Sequence, residues 1–305
     1  MASPGSPDAS PILGGVLPEL AVKRAVIAAL EEDAPSGDMT SLALIPPGTR
    51  ARLSVVFRQG GVVCGLDAAR ETFLRVAPAC TWTVQAQEGD TVNGGAVAAT
   101  VQGEARLLLG GERVALNFMQ RLSGIATLTA RFVAAARAVN PDVRVAATRK
   151  TTPGLRVLEK HAVITGGGAP HRYSLSDGVL IKDNHLAALA QAGISLKQAL
   201  AQARVRWPHT LAVQVEADTE AQALDALAAG ADWLLLDNMA PEIMARVVLA
   251  AKAAPGRKVG VEASGGITLD SIPKVAASGV DVISVGGLTH SAPALDIGLD
   301  FERPP

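Results

Sequence analysis

The 305-residue chain is short of aromatics, of cysteine and of net charge. Phe, Trp and Tyr together make up 3% of it, too few for the stacking platforms that hold single-stranded nucleic acid. Lys and Arg (28) balance Asp and Glu (29), leaving a formal charge of −1 and no global basic field for nucleic acid or an acidic membrane. Cys64 and Cys80 lie far apart without a CxxC pattern. They read as reduced, buried thiols of a cytoplasmic protein, and no cysteine/histidine spacing suggests zinc. No apolar stretch reaches the roughly 20 residues of a membrane-spanning helix. Residues 1–17 begin MASPGSPDASP, without the basic and apolar regions of a signal peptide, and are expected to be a disordered tail.

What the chain does have is a hydrophobic content of 49%, enough to bury the core of one large or two ordinary domains. Residues 18–32 have helical spacing at Leu20, Val22, Val26, Ile27 and Leu30. Between 50 and 110, glycine-punctuated pieces (RLSVVFRQGGVVCGL, TWTVQAQEGDTVNGGAVAATVQG and EARLLLG) read as strands interrupted by a helix at 66–76. EGDTVNGGAVAATVQG resembles half of a biotinyl or lipoyl carrier, but it has no lysine to modify, so it reads as structural. A long helix is expected over 112–138, with Phe118, Leu122, Ile125, Phe132 and Val133 on one face and Ser123-Gly124 permitting a close approach or a bend.

From 143 onward, short apolar runs alternate with helical segments such as 219–229, 241–253 and 269–278. That alternation predicts a parallel sheet. Six such runs (VRVAAT, GVLIK, LAVQV, WLLL, KVGVEA and DVISV) fall short of a full eight-stranded barrel, so the α/β fold is expected to be an open, incomplete β/α barrel.

The runs end in chemistry-bearing residues, at the strand ends where such sheets place their sites. The first ends in Arg149-Lys150, the second in Lys182-Asp183, the third in Glu216, the fourth in Asp237-Asn238, and the last two in Ser264-Gly265-Gly266 and Gly286-Gly287. Residues 144–185 hold seven cations against three acids, a local anion trap, with Arg144, Arg156 and Lys160 read as structural or salt-bridged. Arginine suits planar carboxylates, and lysine supplies a compact charge for phosphate. The glycine turn GGGAPHR presents His171 and Arg172. Lys182, leaving a buried strand, needs an anion or a bridge to Glu216 or Asp237. Glu216 and Asp237 suit sugar hydroxyls, Mg²⁺ or a developing cation. The two glycine pairs offer bare N–H groups to a phosphate. Such a site fits an enzyme joining a phosphorylated sugar to a small acidic molecule.

The motifs GDMT, ERVALNFMQRLSGIAT, TRKTTPGLR, EKHAVITGGGAPHR, LIKDNH, QVEADT, LLLDNM, EASGGIT and SVGGLTHS, in this order over about residues 18–302, resemble the quinolinate phosphoribosyltransferase family. The resemblance implies that quinolinate and phosphoribosyl pyrophosphate give nicotinate mononucleotide, pyrophosphate and CO₂ in NAD biosynthesis, with Mg²⁺. It also implies an N-terminal α/β sandwich over 18–112, a catalytic open barrel over 113–289, the segment 290–305 packing back on the sandwich, and a homodimer or larger assembly. By the same resemblance, Arg113 reaches the neighbouring subunit's site and binds quinolinate with Arg149, Lys150, His171, Arg172 and Lys182. Lys150, Lys182, Glu216 and Asp237 carry catalysis. These four, with Ser264, Gly265, Gly266, Gly286 and Gly287, hold phosphoribosyl pyrophosphate, and Glu216 and Asp237 bind Mg²⁺ directly or through water. One departure is Ala147, where many relatives carry an acid before TRKT. The alternatives are a phosphoribosyltransferase of the same fold acting on nicotinate or another acidic base, and a non-catalytic phosphate-binding sensor.

Overall fold

In the computed structural model, residues 17–256 and 258–302 are described; residues 1–16 of the expected tail lie outside the described residues. In chain order the first elements are α1 (Glu19–Asp33), α2 (Met39–Leu44), β1 (Arg50–Phe57), β2 (Gly61–Val62), α3 (Leu66–Val76), β3 (Thr81–Val84), β4 (Thr91–Val92), β5 (Val97–Glu104) and α4 (Ala105–Arg137). There follow β6 (Arg144–Ala146), α5 (Arg156–Thr165), β7 (Val179–Ile181), α6 (Asp183–Gln191), α7 (Leu196–Arg206), β8 (Val213–Ala217), α8 (Glu220–Ala229) and β9 (Trp233–Asp237). The last are α9 (Pro241–Lys252), β10 (Gly260–Ser264), α10 (Ile272–Ala277), β11 (Val282–Ser284), α11 (Gly287–His290) and β12 (Ile297–Phe301). They form two compact units. One takes the chain up to Leu128, Thr151–Pro170 and the chain from Ala292; the other takes Thr129–Lys150 and His171–Ser291.

The first unit is built on an antiparallel sheet ordered β12-β1-β5-β3, with β2 and β4 paired beside it. The C-terminal strand enters it by pairing Ile297 with Phe57 and Phe301 with Leu53. Phe57, Phe73, Leu108 and Met119, all fully buried, anchor the core, and Trp82 packs on Phe73 with ring centroids 5.8 Å apart. Each such side chain contributes about 1.5–3 kcal/mol relative to an exposed one.

One expectation fails here. EARLLLG is not a strand: β5 stops at Glu104 and α4 starts at Ala105. Ala, Leu and Arg favour helix, and the buried positions Ala105, Leu108, Ala115, Leu116, Met119 and Leu122 follow a three-to-four spacing. Further along α4 a Cβ on Gly124 would lie 2.0 Å from the carbonyl oxygen of Pro293, so only glycine allows that approach. Of the two thiols, Cys64 is buried and Cys80 only half-buried.

The second unit is the expected open parallel sheet, six strands ordered β6-β11-β10-β9-β8-β7. Its strands are short and apolar because helices cover them: α8 buries Ala223 and Ala226, and α9 buries Met244, Val247, Val248 and Ala251. Thr219 caps α8 through a hydrogen bond to its side chain from the Gln222 N–H, and Gly230 ends it at φ 105°. Side chains in register on parallel strands share a face. Gln214 aligns with Trp233 and Gly260, Glu216 with Leu235 and Glu262, and Asp237 with Ser264. At the N-terminal end of this face, Arg144 sits 5.7 Å above the Trp233 ring. A Cβ on Gly260 would lie 2.4 Å from that ring, so glycine makes room for the indole. Among the described residues no helix is long and apolar enough to cross a membrane.

Candidate active site

Above the Trp233 layer the face becomes polar. Glu262, in the middle of β10 and 3% exposed, accepts hydrogen bonds at Oε2 from His171 Nε2 (3.1 Å) and Gln214 Nε2 (2.7 Å). His171 Nδ1 accepts from the Arg172 backbone N–H (2.9 Å), so its proton sits on Nε2, facing Glu262. Burial raises the Glu262 carboxyl, but His171, Gln214 and Ser284 outweigh it and hold it below the usual carboxylate range. An ionised carboxylate thus anchors the imidazole from beneath.

Arg172 follows directly in the chain, with Nη1 3.4 Å from the Gly178 carbonyl oxygen. Burial first, and then the neighbouring charge of Arg149, hold its guanidinium below its ordinary value, partly offset by Glu262, Asp177 and Glu216. The side chain remains a cation. Two guanidiniums that repel one another over a buried carboxylate make a pocket that a small polyanion would stabilise.

The strand order lays out the remaining predicted residues along the C-terminal edge of the sheet. Lys150 follows β6, Gly286 and Gly287 follow β11, Ser264 to Gly266 end β10, Asp237 ends β9, Glu216 lies on β8 and Lys182 follows β7. At one end Lys150 packs on Gly286, where a Cβ would stand 3.2 Å from Lys150 Cδ and 3.1 Å from His290 Nε2. Thr289 Oγ1 donates to the Lys150 carbonyl oxygen (2.8 Å), fixing the segment. In the middle, Asn238 has φ 53°, donates its backbone N–H to Ser264 O (2.9 Å) and its amide to Asp237 Oδ2 (3.0 Å). Gly265 (φ 91°) lies so close that a Cβ would be 2.3 Å from Asn238 Oδ1. At the other end Lys182 bridges Glu216, as expected of a lysine leaving a buried strand. Among the described residues the backbone N–H groups of Gly265, Gly266, Gly286 and Gly287 meet no acceptor.

All the predicted site residues except Arg113 lie in the second unit. Arg113 is exposed on α4, in the first. Of the cations read as structural, Arg144 is the one over Trp233, Arg156 Nε donates to Thr151 Oγ1 (3.0 Å), and Lys160 is buried. The sequence reading missed Glu262 and Gln214, and named Asn238 at its strand end without giving it a role. The signal for Glu262 was an acid inside the buried run KVGVEA; for Gln214 and Asn238, one polar residue within and one just after an apolar strand.

Residues 38–123 match the N-terminal domain of quinolinate phosphoribosyl transferase, and residues 125–300 match its C-terminal domain. The chain is 41% identical over 270 residues to a probable nicotinate-nucleotide pyrophosphorylase (carboxylating) of Bacillus subtilis, covering 88% of this chain and 89% of the relative. It is 40% identical over 284 residues to the human nicotinate-nucleotide pyrophosphorylase (carboxylating), covering 93% of each. Among solved structures it resembles NadC from Streptococcus pyogenes, with a TM-score of 0.86 and 37% identity over 94% of this chain and 99% of the other. It also resembles the nicotinate-nucleotide pyrophosphorylase of Francisella tularensis, with a TM-score of 0.85 and 32% identity over 94% and 98%. Human nicotinic acid phosphoribosyltransferase, at 16% identity and a TM-score of 0.57 over 93% and 73%, shares the fold.

Proposed function

The chain belongs to the quinolinate phosphoribosyltransferase family and is a decarboxylating pentosyltransferase of NAD biosynthesis, and we propose that its chemistry is divided along the sheet edge just described. Quinolinate carries two adjacent carboxylates. Arg149 and Arg172 receive them, and His171, held by Glu262, lines the pocket and accepts the Arg172 backbone N–H, so positioning that guanidinium; this pair of cations over a buried carboxylate is the observation that carries the assignment. A base with one carboxylate would need fewer cations.

Phosphoribosyl pyrophosphate takes the other end. Its 5′-phosphate meets the N–H groups of Ser264, Gly265, Gly266, Gly286 and Gly287, with Lys150 alongside. As pyrophosphate leaves, positive charge builds on the ribose ring, and Glu216 and Asp237 stabilise it electrostatically. Lys182, held by Glu216, faces the substrate anions. The pyridine nitrogen attacks the ribose carbon and becomes cationic. The adjacent carboxylate then leaves as CO₂, its electron pair stabilised beside N⁺, and a proton takes its place. No strong base is required, so positioning and charge dominate.

Mg²⁺ fits the donor set at Glu216 and Asp237: both are hard oxygen ligands at adjacent strand ends. Mg²⁺ is commonly held by one or two carboxylates together with substrate phosphates, which this pair would provide. When bound, it would neutralise the departing diphosphate. The exposed Arg113 is assigned to the site of a second copy in a cytoplasmic homodimer. The test is the release of pyrophosphate and CO₂, dependent on quinolinate, phosphoribosyl pyrophosphate and Mg²⁺ together. Turnover of nicotinate but not of quinolinate would overturn the assignment.

A further inference from the structure

A second group of ligating side chains meets inside the first unit. Cys64 lies between β2 and α3, Glu88 between β3 and β4, and His161 on α5. Each brings one donor atom within 4.8 Å of the other two. Every one of them is held from outside the cluster. Ser123 Oγ accepts from the Cys64 backbone N–H (3.0 Å) and donates to its carbonyl oxygen (2.9 Å). Glu88 Oε1 accepts from the backbone N–H groups of Gly65 (2.8 Å) and Leu66 (2.6 Å), at the start of α3. His161 is carried by the helix, with Nε2 3.4 Å from Thr165 Oγ1.

The other oxygen of Glu88, Oε2, is buried and has no hydrogen-bond partner of normal geometry. The Cys64 thiol lies in side-chain hydrogen-bond contact with the Glu88 carboxyl and with Thr165, and a thiol is only a weak donor. Leaving a buried carboxylate oxygen unsatisfied costs on the order of 1–3 kcal/mol or more. A neutral acid beside a neutral thiol lessens that penalty, but the weak thiol contact meets the need of Oε2 only in part. A divalent cation would satisfy the oxygen, the imidazole nitrogen and the sulfur at once. Thiolate, carboxylate and a doubly charged ion also sum to zero, so the assembled site buries no net charge. Asp67 adds a negative field at both Glu88 and His161.

We propose that Cys64, Glu88 and His161 form a binding site for a borderline-soft divalent transition metal, zinc above all, with water as the fourth ligand. One sulfur, one nitrogen and one oxygen donor suit tetrahedral zinc and reject Mg²⁺. The ion would pin together three segments that are far apart in sequence, one of them the helix lying in the chain between Lys150 and His171. Binding displaces the thiol proton, so it weakens as pH falls.

The test uses the full-length chain, stripped with a chelator and titrated with Co²⁺. A near-ultraviolet thiolate-to-cobalt absorption should grow to one equivalent per chain, with no competition from millimolar Mg²⁺ and full competition from Zn²⁺. Cys64→Ser and His161→Gln should weaken binding by more than about 100-fold, beyond what loss of an outer-shell partner costs. Cys80→Ser should leave the band unchanged. His161→Gln tests the same site should Cys64→Ser fail to fold. Absence of the band in the folded wild-type chain, its survival in His161→Gln, or its loss in Cys80→Ser would each overturn the proposal.

Discussion

Replacing Glu262 with glutamine removes one negative charge from the sheet interior with almost no change of shape. The carboxylate receives two N–H groups at Oε2, from His171 and Gln214, while Oε1 is buried without a partner of normal geometry. The introduced amide therefore has one favoured orientation: its carbonyl oxygen keeps both donors, and its NH₂ takes the place of Oε1. What is lost is the charge assistance. A hydrogen bond to a charged group contributes about 1.5–3 kcal/mol against about 0.5–1.5 for a neutral one. Across two bonds the imidazole anchor weakens by roughly 2 kcal/mol, since relief from burying the charge offsets part of the rest. Steady-state kinetics should then show KM for quinolinate raised about 5–30-fold, with KM for phosphoribosyl pyrophosphate little changed. The variant also probes pH. The wild-type carboxyl is held below its usual value, so its ionised form adds stability that is fully present above the unfolded value of about 4.3 and is lost as pH falls through the folded one. Urea denaturation across that acid window should show the wild type losing stability relative to Glu262→Gln. An equal rise in KM for both substrates, or a stability difference independent of pH, would refute the positioning role.

Further substitutions probe the rest of the reasoning. Arg172→Ala should weaken quinolinate binding by about 2–5 kcal/mol, the usual cost of truncating a buried charged partner, and spare phosphoribosyl pyrophosphate; calorimetric titrations showing equal losses for both would contradict it. Mixing Arg113→Ala chains with chains made inactive by Glu216→Gln should restore part of the activity in hybrid dimers, and absence of rescue would count against a shared site. Gly265→Ala should destabilise the fold by roughly 1–2 kcal/mol for its left-handed conformation and about 1–3 more for the clash with Asn238. Gly266→Ala (φ 57°), where the nearest atom is 3.7 Å away, should show only the first cost, so equal melting temperatures for the two would refute that reading.

Much of this protein was legible along the chain because it is encoded locally. Continuous apolar runs marked six buried parallel strands, and a run of that kind can hardly be anything else once helices alternate with it. Strand ends marked the candidate site, because side chains there leave the core and face solvent or ligand. The error at EARLLLG has the same root: seven residues rich in leucine fit either period, and only the continuation into α4 decided between them.

The order of the six strands, β6-β11-β10-β9-β8-β7, is a property of the assembled sheet. It sets Lys150 beside Gly286 and Gly265 against Asn238. It also decides that Glu262 lies under His171, ninety-one positions away in sequence. The absence of a cysteine/histidine spacing concerns only neighbours in sequence. It could say nothing of Cys64, Glu88 and His161, which converge because the β2–α3 link, the β3–β4 loop and α5 share one unit. Sequence patterns carry the periodicity that burial demands. Which distant side chains then share a few ångströms depends on how sheets and helices pack, and that was settled only in three dimensions.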